Sequence, residues 1–315
     1  MRLVYMGTPD FAAAPLAALS DAGHSIEAVV CQPDRPAGRG KAVKPGPVKE
    51  TAIKLGLKVL QPEKIKNNEE FLGQLRAIAP DAVVVAAYGK ILPRQILELP
   101  EYGCVNIHAS LLPKYRGAAP VQWAVVNGEK ESGLTTMLMD EGLDTGDILM
   151  QRVVPLAADE TGGSLFGKLQ KAAGPIIIET LAGLEAGTIT PIPQQGASCY
   201  ASMLTKEMGQ IDWRRDAASI ERLVRGLDPW PSAFTFIDGR MVKILKSRTA
   251  AAGDDACMPC GMVAAVGRQS FCVMTGSGLL EVLEVQPAGK KRMDTGAFLR
   301  GNHIERGMVL GRKDD

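Results

Sequence analysis

Two residues with the chemistry to act at a reacting carbonyl, Asn106 and His108, stand two positions apart in a stretch whose other residues are apolar. Side chains at alternate positions of a β-strand project from the same face, so the amide and the imidazole would leave that face together. An asparagine amide can donate to a developing oxyanion, and a histidine can donate or accept a proton near neutral pH. The spacing predicts a site that stabilises an oxyanion, although a polar strand end with a structurally bonded histidine fits it equally well.

A carboxylate would complete such a site, and the segment Asp140–Asp147 offers three candidates in a glycine-containing turn after another apolar run. A carboxylate there could orient His108, favour its protonated form or relay a proton through water. Aspartate is also a common turn residue, so Asp140, Asp144 and Asp147 are rivals that sequence physics does not separate.

A stiff, mostly apolar turn, Ser110-Leu111-Leu112-Pro113, follows the histidine almost directly. Its main-chain groups could hold a flat heteroaromatic ligand by hydrogen bonds, and simple loop closure is the alternative.

The segment Gln32–Gly46 is rich in proline and glycine and carries four cations, Arg35, Arg39, Lys41 and Lys44, against one carboxylate. Such cationic loops suit nucleic-acid backbones, although an ordinary solvated loop can have the same composition. From Lys206 onward the chain has 17 Lys and Arg against 14 Asp and Glu, a weak positive excess in a chain whose net charge is +1. The cations in this part that could contact phosphates are Lys206, Arg214, Arg215, Lys243, Lys246, Lys290, Lys291 and Arg292.

The elements that must position these residues follow from the alternation of short apolar runs with amphipathic segments over the first two-thirds of the 315 residues. This alternation predicts an α/β fold with a Rossmann-like, doubly wound, mostly parallel sheet, whose ligands bind beyond the carboxyl ends of the strands. Gly7-Thr8-Pro9-Asp10 lacks the glycine pattern of a dinucleotide or ATP site. Short β-like segments then predict a small barrel or sandwich, giving a first domain at 1–188, a linker at 189–205 and a second domain at 206–315.

The composition places the chain in a reducing compartment, because its six cysteines form no disulfide framework. Cys257 and Cys260 have metal-site spacing but lack a second pair or a nearby histidine, so their role is unassigned. The longest apolar run is far too short to span a bilayer. These features predict a cytoplasmic protein without membrane contact, and a monomer is the default expectation.

Four motifs together closely resemble the folate-dependent formyltransferases, which move a formyl group from 10-formyltetrahydrofolate to an amine. They are Asn106-x-His108, Ser110-Leu-Leu-Pro113, the Arg-Gly-Ala-Ala-Pro run of residues 116–120 and the Asp-Thr-Gly run of residues 144–146. The resemblance implies that Asn106, His108 and Asp144 act at the formyl carbon, that residues 110–113 border the folate, and that no metal takes part.

Within that family, four further segments resemble the branch whose acceptor is initiator methionyl-tRNA. They are Gly7–Phe11, Gln32–Lys41, Asp228–Pro231 and Gln286–Lys291. The resemblance covers nearly the whole chain and implies an OB-like, tRNA-binding barrel as the second domain, with Arg39 and its neighbouring cations at the tRNA acceptor end.

The expected reaction is transfer of the formyl group of 10-formyltetrahydrofolate to the free α-amine of methionyl-initiator-tRNA, for translation initiation. The alternative is the same chemistry on a small amine, such as an amino-sugar nucleotide or glycinamide ribonucleotide. An RNA-binding protein without catalysis is a rival from another class, against which the intact Asn106, His108 and Asp144 argue.

Overall fold

The computed structural model describes residues 1–34, 44–251 and 258–311. The chain divides into two compact units. The first unit contains Met1–Pro120, Glu131–Pro155 and Phe166–Ala201, and the second contains Val121–Lys130, Leu156–Leu165 and Ser202–Asp315.

The helices and strands follow one another along the described residues as below. The helices are α1 (Asp10–Asp21), α2 (Pro47–Lys54), α3 (Glu69–Ile78), α4 (Arg94–Leu97), α5 (Pro120–Val126), α6 (Gly162–Glu185), α7 (Ala217–Gly226) and α8 (Thr295–Leu299), with a 3₁₀ turn at Glu207–Gly209. The strands up to the end of the first unit are β1 (Arg2–Gly7), β2 (Ser25–Val30), β3 (Val59–Leu60), β4 (Ala82–Ala86), β5 (Cys104–His108), β6 (Arg116–Gly117), β7 (Glu131–Leu138), β8 (Ile148–Pro155) and β9 (Tyr200–Ala201). Those of the second unit are β10 (Ala233–Ile237), β11 (Arg240–Ala250), β12 (Val263–Val266), β13 (Phe271–Met274), β14 (Leu279–Pro287) and β15 (Met293–Asp294).

The main sheet of the first unit has the strand order β3-β2-β1-β4-β5-β7-β8. The strands from β3 to β5 pair in parallel, and β7 and β8 extend the sheet antiparallel. The order 3-2-1-4-5 matches the first five strands of the doubly wound Rossmann order 3-2-1-4-5-6, so the Rossmann-like, mostly parallel sheet predicted from the sequence is confirmed.

The centre of this sheet is apolar on both faces, as expected for parallel strands that helices cover. Every residue of β4 is buried, and its sequence is the continuous run Ala-Val-Val-Val-Ala. The preceding helix α3 begins where the Asn68 side chain accepts a hydrogen bond from the Phe71 N–H at 3.0 Å, and it ends at Ala79 in a left-handed conformation. The caps thus define where α3 begins and ends, and the buried strand β4, which follows α3 along the chain, lies beside β5.

The second unit is built on an antiparallel sheet with the order β10-β11-β14-β13-β12, and β15 adds to β14. Residues of β10 alternate between buried and half-buried, as expected for a strand that covers a core with one face. Helix α7 starts after an aspartate N-cap, because Asp216 Oδ1 accepts a hydrogen bond from the Ser219 N–H at 2.8 Å. The predicted small β domain after a Rossmann-like domain is confirmed as this antiparallel unit.

The segment that the sequence presents as a linker, 189–205, makes regular backbone contacts within the first unit. Ile192 and Ile148 exchange two backbone hydrogen bonds of 2.8 and 2.9 Å, and β9 pairs in parallel with β6. Across the described ranges, no helix combines the length and apolarity needed to cross a membrane.

Candidate active site

The predicted pair on β5 lies on one face of the sheet and is held by neighbours on both sides. Asn106 is opposite Met137 of β7 and beside Val85 of β4, and His108 is opposite Thr135. Asn106 and His108 are 9% and 6% exposed, so both side chains sit in a largely dehydrated environment where electrostatic interactions are strong.

The orientation of the imidazole is fixed by a main-chain carbonyl. His108 Nε2 lies 2.9 Å from Tyr115 O. A carbonyl oxygen can only accept, so Nε2 carries the hydrogen of that bond. The other ring nitrogen, Nδ1, faces Asp144 Oδ2 at 3.7 Å. The imidazole is therefore held between a carbonyl oxygen and a carboxylate oxygen.

Asp144 reaches this position by a route that strand-end reasoning does not give. Because β7 is antiparallel to β5, it ends beside the start of β5, where Met139 N donates to Cys104 O at 2.8 Å. The loop then returns along β5 until the Asp144 carboxylate lies against His108, and there its Oδ2 accepts a hydrogen bond from Gly117 N at 2.8 Å.

The other carboxylates of the loop have separate positions. Asp140 closes a turn by accepting hydrogen bonds from Gly142 N at 3.0 Å and from the Thr145 hydroxyl at 2.7 Å. Asp147 pairs through its backbone, where its carbonyl accepts from Leu138 N at 2.8 Å. Of the three rivals, Asp144 is the residue that the structure places beside His108.

The Asn106 side chain is presented without a partner. Within the described ranges no hydrogen bond engages its amide, and the amide is not among the fully buried polar groups that lack a partner. A largely buried donor without a hydrogen-bond partner costs free energy of folding, and a bound ligand can supply the missing acceptor. The unpaired amide therefore favours a functional role for Asn106 over a structural one.

The turn of residues 110–113 is fastened to the sheet by two side chains that the sequence analysis did not single out. The fully buried Thr135 hydroxyl donates to Ser110 O at 2.7 Å and accepts from Leu112 N at 3.1 Å. Gln151 Nε2 donates to Leu112 O at 2.9 Å. Several of the main-chain groups expected to be free for a ligand are therefore engaged, and Leu111 and Pro113 remain half-exposed on this turn.

Most of the predicted tRNA-contacting loop lies outside the described residues, namely Arg35, Arg39 and Lys41, whereas Lys44 is described and exposed. At the edge of the loop, hydrogen bonds from Lys49 and then from Gln61 lower the pKa of Asp34. The loop's one carboxylate is thus matched by a cation from α2.

The cations predicted to meet phosphates in the second unit are mostly exposed, but some are already paired. Arg214 forms an ion pair with Asp212 at 2.8 Å, and Arg292 forms one with Glu284. The exposed members of the set are Lys206, Arg214, Arg215, Lys246, Lys290, Lys291 and Arg292, while Lys243 is half-buried.

Of the cysteine pair, Cys257 lies outside the described residues, whereas Cys260 is described and exposed. In the ranges 1–34, 44–251 and 258–311, no group of three or more His, Cys, Asp or Glu residues could hold a metal ion.

Sequence reasoning missed a further polar residue of the site, Gln194, because it lies in a proline-containing stretch without periodicity. Its side chain contacts Arg116 and the backbone of the Asp144 loop. Thr135 had a weak signal, since two adjacent threonines interrupt an otherwise apolar strand.

Comparison with known proteins gives matches over nearly the whole length. A family model described as "Formyl transferase" matches residues 1–181, and "Formyl transferase, C-terminal domain" matches residues 203–303. A methionyl-tRNA formyltransferase of Lachnospira eligens is 53% identical over 316 residues, covering 99% of this chain and 100% of the relative. One of Caldanaerobacter subterraneus subsp. tengcongensis is 48% identical over 311 residues, covering 98% of this chain and 100% of the relative.

Solved structures share the fold at low identity. WlaRD, a sugar 3N-formyl transferase crystallised with dTDP and 5-N-formyl-THF, has a TM-score of 0.66 and 18% identity, covering 92% of this chain and 99% of its own. HypX from Aquifex aeolicus in complex with tetrahydrofolic acid has a TM-score of 0.62 and 16% identity, covering 98% of this chain and 51% of its own.

Proposed function

We propose how this site works from one premise that the matches establish: the chain belongs to the formyl transferase family. Its reaction is transfer of the formyl group of 10-formyltetrahydrofolate to the α-amine of methionyl-initiator-tRNA. The relatives that are 46–53% identical over 98–100% of this chain bear the name of that activity. The observation that carries the mechanism is the unpaired Asn106 amide beside a histidine whose free nitrogen faces Asp144.

The first chemical step is attack of the neutral amine on the formyl carbon. A carbon–nitrogen bond forms, and the formyl oxygen takes the electron pair of its π bond and becomes an oxyanion. The Asn106 amide donates to this oxygen, and a hydrogen on His108 Nδ1 donates from the other side. Donors that are fixed before the reaction stabilise the charge without reorganisation, which is the largest single contribution in many enzymes.

Asp144 has two tasks in this scheme. Its carboxylate lies 3.7 Å from His108 Nδ1 and orients the imidazole. A separation of this size also leaves room for the attacking amine or a water to bridge the two groups. The amine's proton leaves through Asp144 or that water and arrives at N10 of the folate as the bond from the formyl carbon to N10 breaks. The products are the formylated amine and tetrahydrofolate, and the proton count balances.

The folate has apolar walls available near this centre. Ile91, in the loop after β4, is 72% exposed, and Leu143, next to Asp144, is 52% exposed. Large exposed apolar side chains on loops around a polar centre suit the flat ring of a heteroaromatic ligand. We assign the pterin ring to the space that these residues and the turn 110–113 border.

The cationic loop and the second unit account for the RNA part of the substrate. Since Asp34 is matched by Lys49, the charges of Arg35, Arg39, Lys41 and Lys44 are not offset from within the loop. Phosphate contacts of this kind position the tRNA and make its binding dependent on salt. A small amine lacks the extended phosphate backbone that the cations of this loop would contact.

The experiment that tests the function offers several acceptors in parallel. Formyl transfer from 10-formyltetrahydrofolate is measured with methionyl-initiator-tRNA, free methionine, an amino-sugar nucleotide and glycinamide ribonucleotide. Fast transfer to the charged tRNA alone is the expected result. Transfer to a small amine alone would keep the catalytic assignments and overturn the tRNA assignment, and the absence of transfer to any acceptor would overturn both.

A further inference from the structure

One glutamine ties together the two loops that flank the catalytic histidine. Gln194 Nε2 donates to Asp144 O at 2.9 Å and to Gly146 O at 2.8 Å. Its Oε1 accepts from Arg116 Nη2 at 2.6 Å and from Arg116 Nε at 3.1 Å. The amide nitrogen of Gln194 therefore binds the Asp144 loop, while its amide oxygen binds the Arg116 side chain, and we call this set of contacts the Gln194 junction.

The Gln194 junction lies next to the hydrogen bond between Gly117 N and the Asp144 carboxylate, which orients that carboxylate. Arg116 directly precedes Gly117, whose N–H donates to Asp144 Oδ2 at 2.8 Å. The same carboxylate oxygen faces His108 Nδ1. Gln194 thus binds the carbonyl of Asp144 on one side and the guanidinium of Arg116 on the other. We infer that these contacts set the distance between the Asp144 carboxylate and Gly117 N.

The backbone at Asp144 also needs external support. Its φ is +53°, in the left-handed region that side-chain-bearing residues adopt at a cost and that persists where surrounding contacts determine it. The hydrogen bond from Gln194 to the Asp144 carbonyl is such a contact. Without it the loop can relax toward commoner conformations, and the carboxylate would turn with the backbone.

We propose that Gln194 is a positioning residue for Asp144 and so governs the chemical step rather than substrate binding. It touches none of the reacting groups, and its effect passes through the placement of the Asp144 carboxylate beside His108. The kinetic part of this inference rests on the proposed formyl transfer, whereas its structural part does not.

The test replaces Gln194 by methionine, which has a similar length and no amide. The matched control is Gln195→Met, since Gln195 is the same residue type one position on, is exposed, and has no hydrogen bond within the described ranges. We expect Gln194→Met to lower kcat about 10²-fold with KM for both substrates unchanged, because displacing a catalytic group by about 1 Å has effects of that size. Gln195→Met is expected to leave both constants unchanged.

A substrate-free measurement follows two neighbouring amides by hydrogen exchange. Gly117 N–H depends on the Asp144 carboxylate, whereas Ala118 N–H bonds to Ala201 O at 2.9 Å. In Gln194→Met we expect exchange at Gly117 to accelerate and exchange at Ala118 to stay as in the parent chain.

Three results would overturn the proposal. Unchanged protection of Gly117 would show that Asp144 is held without Gln194, whatever happens to kcat. Faster exchange at both amides would show a general support of the β6–β9 pair. A raised KM with unchanged kcat would show a role in binding. If the parent chain transferred no formyl group, the exchange result alone would still decide whether Gln194 holds Asp144.

Discussion

Replacing Asn106 with alanine isolates the stabilisation of the oxyanion from every other task of the site. The amide has no hydrogen-bond partner among the residues that the structure describes, so its removal leaves no protein group unpaired. His108 keeps its bond to Tyr115 O, and Asp144 keeps its bond to Gly117 N. What the variant loses is one fixed donor at a position that is 9% exposed.

The expected magnitudes for activity and for stability differ widely. Loss of one donor to an oxyanion in a water-poor site costs about 2.7–4 kcal/mol in the barrier, or about 10²–10³ in kcat. Since no hydrogen bond to another described residue is broken, the free energy of unfolding should change by less than about 1 kcal/mol. KM should change little, because the interaction forms as the transition state develops.

The assay compares steady-state formyl transfer to methionyl-initiator-tRNA with urea unfolding of the same preparations. Asn106→Asp serves as a second variant, because it keeps the shape of the side chain while replacing the donor with an acceptor. We expect it to lose at least as much kcat as Asn106→Ala. Near-parental kcat in either variant would refute the oxyanion assignment, and a loss of activity matched by a loss of several kcal/mol in stability would show a structural role instead.

Three other perturbations test separate parts of the molecule. Arg39→Ala should weaken use of methionyl-tRNA and spare folate binding, measured as kcat/KM for each substrate, and an equal loss for both would contradict the assignment to tRNA. Thr135→Val should lower the free energy of unfolding by about 1–3 kcal/mol in urea, because two buried main-chain groups of the turn 110–113 lose their partner; an unchanged midpoint would show that the turn is held otherwise. Burial raises the pKa of Cys31 to about 11 and that of Cys104 to about 12, so both stay protonated at pH 7, and iodoacetamide should modify the exposed Cys199 and Cys260 before either of them, as read by mass spectrometry. Early labelling of either buried thiol would contradict this order.

The placement of Asn106 and His108 was within reach of the sequence because it depends on one local rule. Alternation along a strand puts both side chains on one face wherever the strand lies, and the structure has them so on β5. The continuous apolar run of β4 is equally local, since a strand covered on both faces has no polar positions.

The choice among Asp140, Asp144 and Asp147 was out of reach of local residue patterns, and the family resemblance alone selected Asp144, because the choice depends on strand direction. A strand that reads as apolar can join a sheet either way, and β7 joins it antiparallel. The loop therefore starts at the far end of β5 and must return along it before one carboxylate meets His108. The sequence therefore identifies the loop, whereas the path of the loop in the structure decides which of its aspartates lies beside His108.

The contacts of Gln194 illustrate a second limit. Secondary-structure periodicity reports which residues are buried by regular elements, whereas Gln194 acts through main-chain carbonyls of a loop 48 and 50 positions away. Nothing in the local pattern of a proline-containing segment indicates such a bond. The acceptors are main-chain carbonyls, which every residue has, so the bond depends on the backbone conformation of the partner loop and not on its residue types. Polar residues of this kind become visible when the partner loop has been placed.

The His108 imidazole is contacted by two loops, and in each loop the contacting residue has a positive φ. Tyr115, which supplies the carbonyl for Nε2, has a φ of +59°, and Asp144 has a φ of +53°. Each such residue costs on the order of 1 kcal/mol or more, and the cost is tolerated where neighbouring contacts over-determine the conformation. Here Tyr115 N is bonded to Cys199 Sγ at 3.2 Å, and Asp144 O is bonded to Gln194. Since both supporting residues come from the segment 189–205, that segment holds the groups on both sides of His108.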